Sequence, residues 1–389
     1  MVGSSMTKMQ KISILSISLL SIMSSAAVSP ALSYIGDYFY NSSELMIKMV
    51  VSLPAIFIIP VTLLTGRLTS YIKKKTLVYM GLTLYLVGGL GGALANSIVV
   101  LLVFRSLLGI GTGLLLPLMR GVIADFFDGK ERVQMFGYSS AMNNLGGIIA
   151  TLFGGLLTIY GWRYPFLVYI VAFFVLFLVI KYMPDHPLVK KENISVSINR
   201  NVWMIGLSHY MMVLIFFSIP LGLSYYISES GLGTGVTTGV LISLVTLGSF
   251  ITGLNFHTVK EFLGDSTVIV GLLLETFGML GIALFSNLIG VSIALLLVGI
   301  GIGILSPNIY LKTSLESSRE DVTLALAIVA CFSFLGQFSS PLINEFFQDL
   351  FNFYRVDSTF YISFGIGIFS MIIILLNKVV KVYIPKDVE

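Results

Sequence analysis

The sequence predicts an all-α membrane protein with twelve transmembrane helices, arranged as two related halves of six helices each. Three observations lead to this fold class. Of the 389 residues, 56% are hydrophobic and only 11% are charged, whereas soluble globular domains have about 25% charged residues. Continuous apolar stretches of about twenty residues, the length that crosses a bilayer as a helix, recur along the whole chain. A sequence pattern also repeats at about half the chain length.

The apolar stretches predict the positions of the spans. They lie near residues 12–34, 46–66, 76–95, 98–119, 135–160, 164–183, 202–226, 236–256, 266–286, 288–311, 322–347 and 358–380. The longest connection is polar and divides the chain almost in half. We therefore expect a six-helix bundle at 1–183, a cytoplasmic linker at 184–201 and a second six-helix bundle at 202–389. Span one also resembles a secretory signal peptide, since Lys8 and Lys11 precede its apolar run, but its counterpart later in the chain favours a retained helix.

The lysines and arginines predict how the chain is oriented. If the N terminus lies inside and the spans alternate, nineteen of these cations fall in inside segments and only Lys48, Arg163 and Arg355 fall outside. Because positive charge is retained on the cytoplasmic side, we expect both termini in the cytoplasm and the protein in the plasma membrane. The cations are spread over many loops, so no nucleic-acid partner is expected. We expect a monomer.

Spans four and ten contain the same nine-residue pattern. Residues 109–117 read GIGTGLLLP and residues 299–307 read GIGIGILSP, so six of nine positions agree at an offset of 190. Pro30 and Pro220 share this offset, and the Leu-Ser-Tyr of residues 32–34 recurs at 223–225. We interpret the matches as two six-span repeats, a design of secondary transporters. Glycines four residues apart let helices approach closely; they are Gly109 and Gly113 in span four and Gly299 and Gly303 in span ten.

Several motifs of the first half resemble those of one family. Residues 105–111 read RSLLGIG, similar to an Arg-x-x-Gln-Gly-x-Gly motif with Leu108 in place of the glutamine. Residues 125–132 form an acidic stretch followed by Glu-Arg, and span five ends in Gly154 and Gly155 before GWRYPF at 161–166. Together with the repeat, these motifs resemble the major facilitator superfamily over essentially the whole chain, and most closely its twelve-span drug:proton antiporters.

The resemblance implies helix-packing and gating roles for a set of residues in the inner loops and in span five. They are Gly66, Lys74, Lys75, Asp125, Arg132, Gly154 and Gly155. The loop after span two keeps its basic end, but Ser70 stands where the family has an aspartate that helps to close the cytoplasmic gate. Ala150 and Thr151 stand where the antiporter signature of span five has Gly-Pro. These departures leave the superfamily interpretation intact and weaken that of proton antiport.

Four ionisable residues are candidates for proton coupling or a conformational switch. Arg105 lies roughly 10 Å below the outer boundary of span four at 1.5 Å per residue, where a cation should face the protein interior. The alternative is a buried arginine bonded to backbone carbonyls. Glu275 of span nine is the only carboxylate clearly within a span, and His209 of span seven can bind a proton near neutral pH; simple pairing or hydrogen bonding is the alternative for both. Asp37 is expected beyond the end of span one.

Polar and aromatic residues of six spans are candidates for the lining of a substrate cavity. They are Tyr34, Asn143, Asn144, His209, Tyr225, Asn308, Tyr310 and Gln337. Amide groups and aromatic faces among methionine and phenylalanine suit an amphipathic organic ligand. The absence of a dense charged cluster in the sequence argues against a phosphate ester. The alternative is that these side chains bond between helices.

The sequence therefore predicts a secondary active transporter that works by alternating access, in the first place a proton-coupled exporter of small amphipathic compounds. A proton symporter of a metabolite and a lipid flippase of the same fold are the alternatives. A membrane-embedded enzyme or a channel is more remote, because the sequence has no His-Glu-x-x-His pattern, no phosphate-binding loop and no filter-like loop. No cofactor or metal is expected. The expected partners are a small-molecule substrate, protons and the lipid bilayer.

Overall fold

The structure, a computed structural model, describes residues 6–127, 129–184, 199–317 and 322–383. Within these ranges, eleven helices are long and apolar enough to cross a membrane, and a twelfth helix contains a shorter apolar stretch at Ser358–Ile374. Every regular element in the described ranges is helical. These findings confirm the predicted all-α membrane fold. The predicted linker at 184–201 lies almost wholly outside the described residues, which resume at Asn199.

Eight α-helices build most of the first six spans, and a 3₁₀ helix at Tyr164–Ile170 begins span six. They are α1 (Lys8–Ser18), α2 (Leu20–Ala26), α3 (Leu32–Tyr38), α4 (Glu44–Leu68), α5 (Lys74–Gly91), α6 (Ile98–Phe126), α7 (Gly129–Leu157) and α8 (Val171–Tyr182). Span one comprises α1 to α3 and is interrupted at Leu19 and near Pro30, where the proline lacks a backbone N–H. The helix restarts after Pro30 and continues to Tyr38. The expectation that Asp37 lies beyond span one is therefore wrong, because this last turn contains it.

Eight further helices build the remaining spans and one connection. They are α9 (Arg200–Phe216), α10 (Ser218–Glu229), α11 (Gly235–Leu254), α12 (Phe256–Leu263), α13 (Thr267–Leu284), α14 (Leu288–Leu315), α15 (Val322–Phe351) and α16 (Ser358–Tyr383). Span seven comprises α9 and α10 and is interrupted at Phe217, shortly before Pro220. The prolines at the shared offset therefore both lie next to a break in a spanning helix. The short helix α12 lies between spans eight and nine.

The chain forms two compact units. The first comprises Met1–Ser197 and Leu223–Thr246, and the second comprises Ile198–Gly222 and Leu247–Glu389. Besides spans one to six, the first unit therefore contains the end of span seven and the beginning of span eight. The division into two bundles at residues 184–201 stays a prediction.

The two repeats pack their helices in the same way. A Cβ atom added to Gly111 of span four would lie 2.6 Å from the backbone nitrogen of Tyr85 in span three. At the equivalent place 190 residues later, a Cβ atom on Gly301 of span ten would lie 2.8 Å from the backbone nitrogen of Glu275 in span nine. Backbones that approach this closely require glycine. The repeat read from the sequence is thus also a repeat of helix contacts.

The glycine pairs of the repeated pattern hold a second set of helix contacts. Gly109 and Gly113 of span four face span two, where added Cβ atoms would lie 2.8 Å from Pro54 Cα and 3.0 Å from the Ile58 carbonyl oxygen. In the second unit, an added Cβ atom on Gly303 would lie 2.7 Å from the Ser249 carbonyl oxygen of span eight. Gly299 borders the same helix, because a Cβ atom on Gly248 would lie 3.4 Å from its Cα.

Candidate functional site

Arg105 is fully buried and joins four spans of the first unit. Its Nε donates a hydrogen bond to the Val50 carbonyl oxygen at 2.6 Å, and its Nη2 donates to the Ser24 carbonyl oxygen at 2.5 Å. Its Nη1 donates to the Tyr169 hydroxyl at 2.7 Å, and that hydroxyl donates in turn to the Ser24 carbonyl at 2.9 Å. Spans one, two, four and six are therefore tied at one point. These partners are those expected of a buried arginine bonded to backbone carbonyls.

In the first unit, two ion pairs join helix ends that the sequence predicts to lie on the cytoplasmic side. Lys74, at the start of span three, pairs with Asp125 at the end of span four. Lys11 Nζ lies 2.6 Å from a carboxylate oxygen of Glu131. A carboxylate from span four thus meets the basic end of the loop after span two, in which Ser70 replaces the family's aspartate. Lys75 adjoins the Lys74 pair, and a Cβ atom on Gly66 would meet nothing within 4 Å. The side chain of Arg132 lies outside those the structure describes.

Span one and the end of span seven meet through equivalent residues of the repeat. Ser33 Oγ and Ser224 Oγ lie 2.9 Å apart, and both serines are buried. Ser224 Oγ also donates to the Pro30 carbonyl oxygen at 3.0 Å. Both serines come from the repeated Leu-Ser-Tyr pattern, so the repeats contact each other here through the same side chain. Each span has one end on the side of the N terminus and one end on the other side, and we call the latter the outer end. The contact lies at the outer ends of spans one and seven.

The tyrosines of the repeated pattern flank this serine pair. The Tyr34 hydroxyl accepts a hydrogen bond from the backbone nitrogen of Gly235 at 3.3 Å. The Tyr225 hydroxyl lies against Gly36, where an added Cβ atom would be 2.7 Å from it. The sequence suggested both tyrosines as cavity-lining residues, and the structure places them in helix contacts. We call Ser33, Tyr34, Ser224 and Tyr225 the outer contact.

Span five packs against the start of span eight through glycine. A Cβ atom on Gly155 would lie 2.6 Å from the Gly235 carbonyl oxygen and 2.9 Å from Gly239 Cα. Its neighbour Gly154 faces span one, where a Cβ atom would collide with the Ala27 carbonyl oxygen. Any side chain at position 155 would therefore separate spans five and eight at their outer ends.

A small cavity lies within the first unit, between spans one, three and four. Its lining combines three hydroxyl-bearing side chains of serine and threonine, one tyrosine and several apolar side chains. The lining residues are Ile17, Ser18, Leu20, Ser21, Tyr85, Thr112, Leu115, Leu116 and Met119. Sequence reasoning missed this set, because serine and threonine are common in apolar helices and nothing in their spacing marks a cavity.

The two asparagines of span five bond to helix backbone. Asn143 Oδ1 accepts a hydrogen bond from the backbone nitrogen of Ile22 at 3.2 Å, close to the break in span one at Leu19. Asn144 Nδ2 donates to the Ser140 carbonyl oxygen of its own helix at 3.1 Å. These contacts correspond to the alternative in which predicted cavity residues bond between or within helices.

The candidate residues of spans seven, ten and eleven lie in the second unit. The buried His209 donates from Nδ1 to the Val329 carbonyl oxygen at 3.0 Å, and its ring stands edge-to-face against Tyr310 at 5.5 Å between centroids. Asn308 is buried, and its Oδ1 lies 3.4 Å from Lys260 Nζ of α12. Gln337 is also buried. The structure thus brings His209 and Tyr310 together.

Glu275 is fully buried in the second unit, with no exposed surface. Within the described residues, neither of its carboxylate oxygens has a hydrogen-bond partner, and the same holds for the hydroxyl of the adjacent Thr276. An ionised carboxylate in such surroundings is very costly, whereas the protonated group carries no charge. The sequence had suggested that Glu275 is the only carboxylate clearly within a span. This is wrong, because Glu345 lies half-buried inside α15.

A buried polar network in the second unit was not predicted. Asn344 Nδ2 donates to Ser218 Oγ at 3.1 Å, and Ser363 Oγ donates to the same oxygen at 2.6 Å. The network joins spans seven, eleven and twelve next to the break in span seven. Its signal in the sequence is the four-residue spacing of Ser340, Asn344 and Gln348, which places three polar side chains on one face of span eleven.

Within the described residues, no group of three metal-ligating side chains is found.

Comparison with known proteins agrees with this architecture. The profile of the Major Facilitator Superfamily matches residues 14–341. The quinolone resistance protein NorA of Staphylococcus aureus (strain MSSA476) is 25% identical over 332 residues, which cover 80% of this chain and 82% of that protein. The multidrug transporter protein MdtP of Bacillus subtilis (strain 168) is 29% identical over 104 residues, 26% of this chain and 19% of that protein.

A solved transporter has the same fold. It is a bacterial homologue of the human lysosomal transporter Spinster, in an inward-facing and occupied conformation, with a TM-score of 0.73, 13% identity and 94% of each chain covered. The family profile spans most of the residues, from the start of the apolar region to span eleven. The chain therefore belongs to the major facilitator superfamily of membrane transporters.

Proposed function

We propose that this transporter exports small amphipathic compounds across the plasma membrane, driven by proton entry, as a monomer with both termini in the cytoplasm. The observation on which export chiefly rests is the similarity to a quinolone resistance protein over 80% of the chain. The distribution of cations, nineteen inside and three outside, supports the orientation.

Alternating access is supported by the contacts at the outer ends of the helices. In the proposed orientation, the outer contact and the Gly155 packing lie on the external side. The hydrogen-bonded Ser33 and Ser224 and the close approach of Gly155 to Gly239 then belong to a conformation that is closed to the outside. Release of a compound to the outside requires these contacts to separate.

The chemistry of the substrate is supported by the uncharged helix surfaces around the small cavity of the first unit, whose volume is only about 10 Å³. Ser18, Ser21 and Thr112 supply hydroxyl groups, and Met119 supplies a polarisable thioether. None of the lining residues is charged. A cavity of this size holds about one water molecule, so a substrate enters only in a conformation that widens it. An uncharged lining then suits a compound with an apolar body and a few hydrogen-bonding groups better than a multiply charged one.

Glu275 is our candidate for the residue that carries the proton. Buried without a partner, its carboxyl group is stable in the neutral state in this conformation. A conformation that admits water to Glu275 would allow the proton to leave. Proton release on one side of the membrane and uptake on the other would couple the gradient to the conformational cycle. His209 is the weaker candidate, because binding a proton would place a positive charge on a buried ring.

Transport by purified protein in proteoliposomes tests the proposal. With an acidic lumen, protein molecules whose cytoplasmic side faces the bath should accumulate a quinolone in the lumen, and a protonophore should abolish the accumulation. Uptake that a protonophore leaves unchanged would overturn proton coupling.

The role of Glu275 is tested with a matched pair of variants. Glu275→Gln should lose accumulation driven by the pH gradient while it retains exchange of quinolone between the two sides without a gradient. Glu345→Gln changes a half-buried carboxylate of another span and should behave like the wild type. Accumulation by Glu275→Gln at the wild-type level would assign the proton to another group.

Symport of a metabolite with protons is the second candidate function. It is favoured by Ala150 and Thr151, which replace the Gly-Pro of the antiporter signature. The same vesicles distinguish the two functions, because an acidic bath drives uptake by a symporter and an acidic lumen drives uptake by an antiporter.

A further inference from the structure

The short helix α12 is joined closely to a spanning helix at each end. A single residue, Asn255, separates it from Leu254 at the end of span eight, and a short 3₁₀ turn at Gly264–Ser266 joins it to span nine. One residue of chain spans at most about 3.6 Å. Helix α12 therefore starts within a few ångströms of the membrane boundary of span eight and cannot move far into solvent.

The sequence of α12 is amphipathic. At 100° per residue, Phe256, Val259, Phe262 and Leu263 fall within one arc of 120°, whereas His257, Thr258 and Glu261 occupy the opposite side. Most of this apolar arc is partly covered by neighbouring helices. Phe262 is the exception, since 88% of its surface is exposed.

Two large apolar side chains at this point are mostly uncovered by protein. They are Phe262, and Leu254, which is 68% exposed at the end of span eight. Transfer of a phenylalanine or leucine side chain from water to an apolar phase is favourable, because apolar surface leaves water. The apolar phase next to the end of a spanning helix is the bilayer.

The side of α12 next to Phe256, which carries Lys260, is connected to span ten. Lys260 Nζ lies 3.4 Å from Asn308 Oδ1, and it also lies 5.9 Å from the centre of the Phe256 ring. Asn308 is buried in span ten. A displacement of α12 would therefore move a cation that contacts the interior of the second unit.

We propose that α12 is an interfacial helix that inserts Phe262, together with Leu254, into the headgroup–acyl boundary of the leaflet on the side of the chain termini. Lys260 and Glu261 balance each other in charge, so insertion depends on apolar contact and not on attraction to anionic lipid. Through Lys260 and Asn308, the depth of α12 in the bilayer determines the position of a cation beside span ten. Insertion does not rest on the proposed export function; only its effect on transport does.

Site-directed spin labelling tests the insertion with a matched pair. Phe262→Cys and His257→Cys, each made in a Cys331→Ser background, place labels five residues apart at side chains that are 88% and 86% exposed. In phosphatidylcholine nanodiscs, the label at 262 should be accessible to oxygen and protected from a water-soluble nickel reagent, and the label at 257 should show the reverse. Addition of phosphatidylglycerol should leave both accessibilities unchanged.

Three outcomes would overturn the proposal. Equal accessibility of both labels to the nickel reagent would place α12 in water. Protection of the label at 262 from both reagents would indicate a protein partner or a second copy on this surface. Insertion that requires phosphatidylglycerol would replace apolar contact with electrostatic attraction.

The effect on transport is measured separately. Phe262→Glu should reduce the rate of quinolone transport, because it removes the apolar anchor, and Phe262→Leu should preserve it. If the label at position 262 is inserted as expected but Phe262→Glu transports quinolone at the normal rate, the coupling of α12 to span ten is overturned and the insertion stands. Absence of transport in the wild type would instead count against the proposed export function.

Discussion

Replacement of Arg105 by methionine should destabilise the first unit substantially. Arg105 donates three hydrogen bonds, to Ser24, Val50 and Tyr169, and is fully buried. Hydrogen bonds between membrane helices contribute about 0.6 kcal/mol on average and at most about 1.7 kcal/mol each. Three bonds therefore give a loss of about 2–5 kcal/mol in the free energy of unfolding. Methionine keeps much of the side-chain length and removes the charge.

Unfolding by SDS in mixed micelles, followed by circular dichroism, measures this loss. Arg105→Lys keeps the charge but lacks the planar fork that reaches three acceptors, so an intermediate loss is expected. The adjacent Ser106 is the control, because its Oγ bonds only within its own helix, to the Leu102 carbonyl oxygen at 2.9 Å. Ser106→Ala should stay within about 0.5 kcal/mol of wild type. The same small change for Arg105→Met would refute the network as a source of stability.

Two further predictions concern helix ends of the first unit. Gly155→Val should prevent close packing of spans five and eight and so raise the reactivity of a cysteine introduced at position 33 towards a water-soluble maleimide. Gly137→Val is the control, because it lies in the same helix and an added Cβ atom there has nothing within 4 Å. Equal reactivity of the cysteine in both variants would show that the packing at Gly155 does not close the outer ends. Lys74→Met should lower the free energy of unfolding by about 1 kcal/mol. The double variant Lys74→Asp with Asp125→Lys should have the wild-type free energy of unfolding, because it keeps the ion pair with its charges exchanged. A double variant as unstable as Lys74→Met would exclude the ion pair as the cause of the loss.

The sequence was most informative where physics acts on long segments. Apolar length is needed to cross a bilayer whatever the packing, so the spans and the fold class could be predicted. The 190-residue offset also holds for helix contacts, since Gly111 and Gly301 approach equivalent backbone positions. The high cost of a charge in lipid placed Arg105 inside the protein, but its acceptors at Ser24 and Val50 lie far away in sequence and could not be predicted.

The candidate site was less predictable, because it depends on the rotation of each helix. Tyr34 and Tyr225 were selected for their polar and aromatic character, and their part in the outer contact could not be predicted from it. The helix of span one restarts after the turn that contains Pro30 and continues to Tyr38, so Asp37 lies inside the span. Helix rotation and helix breaks are set by packing against distant residues, and a single sequence does not contain that information.

A cross-link between Ser33→Cys and Ser224→Cys, in the Cys331→Ser background, tests alternating access most directly. The two Oγ atoms lie 2.9 Å apart, close to the span of a disulfide bond of about 2.05 Å. Oxidation should abolish transport by the double variant, reduction should restore it, and each single variant should be unaffected by oxidant. Transport at the wild-type rate by fully cross-linked protein would show that the outer ends need not separate, and would contradict the account.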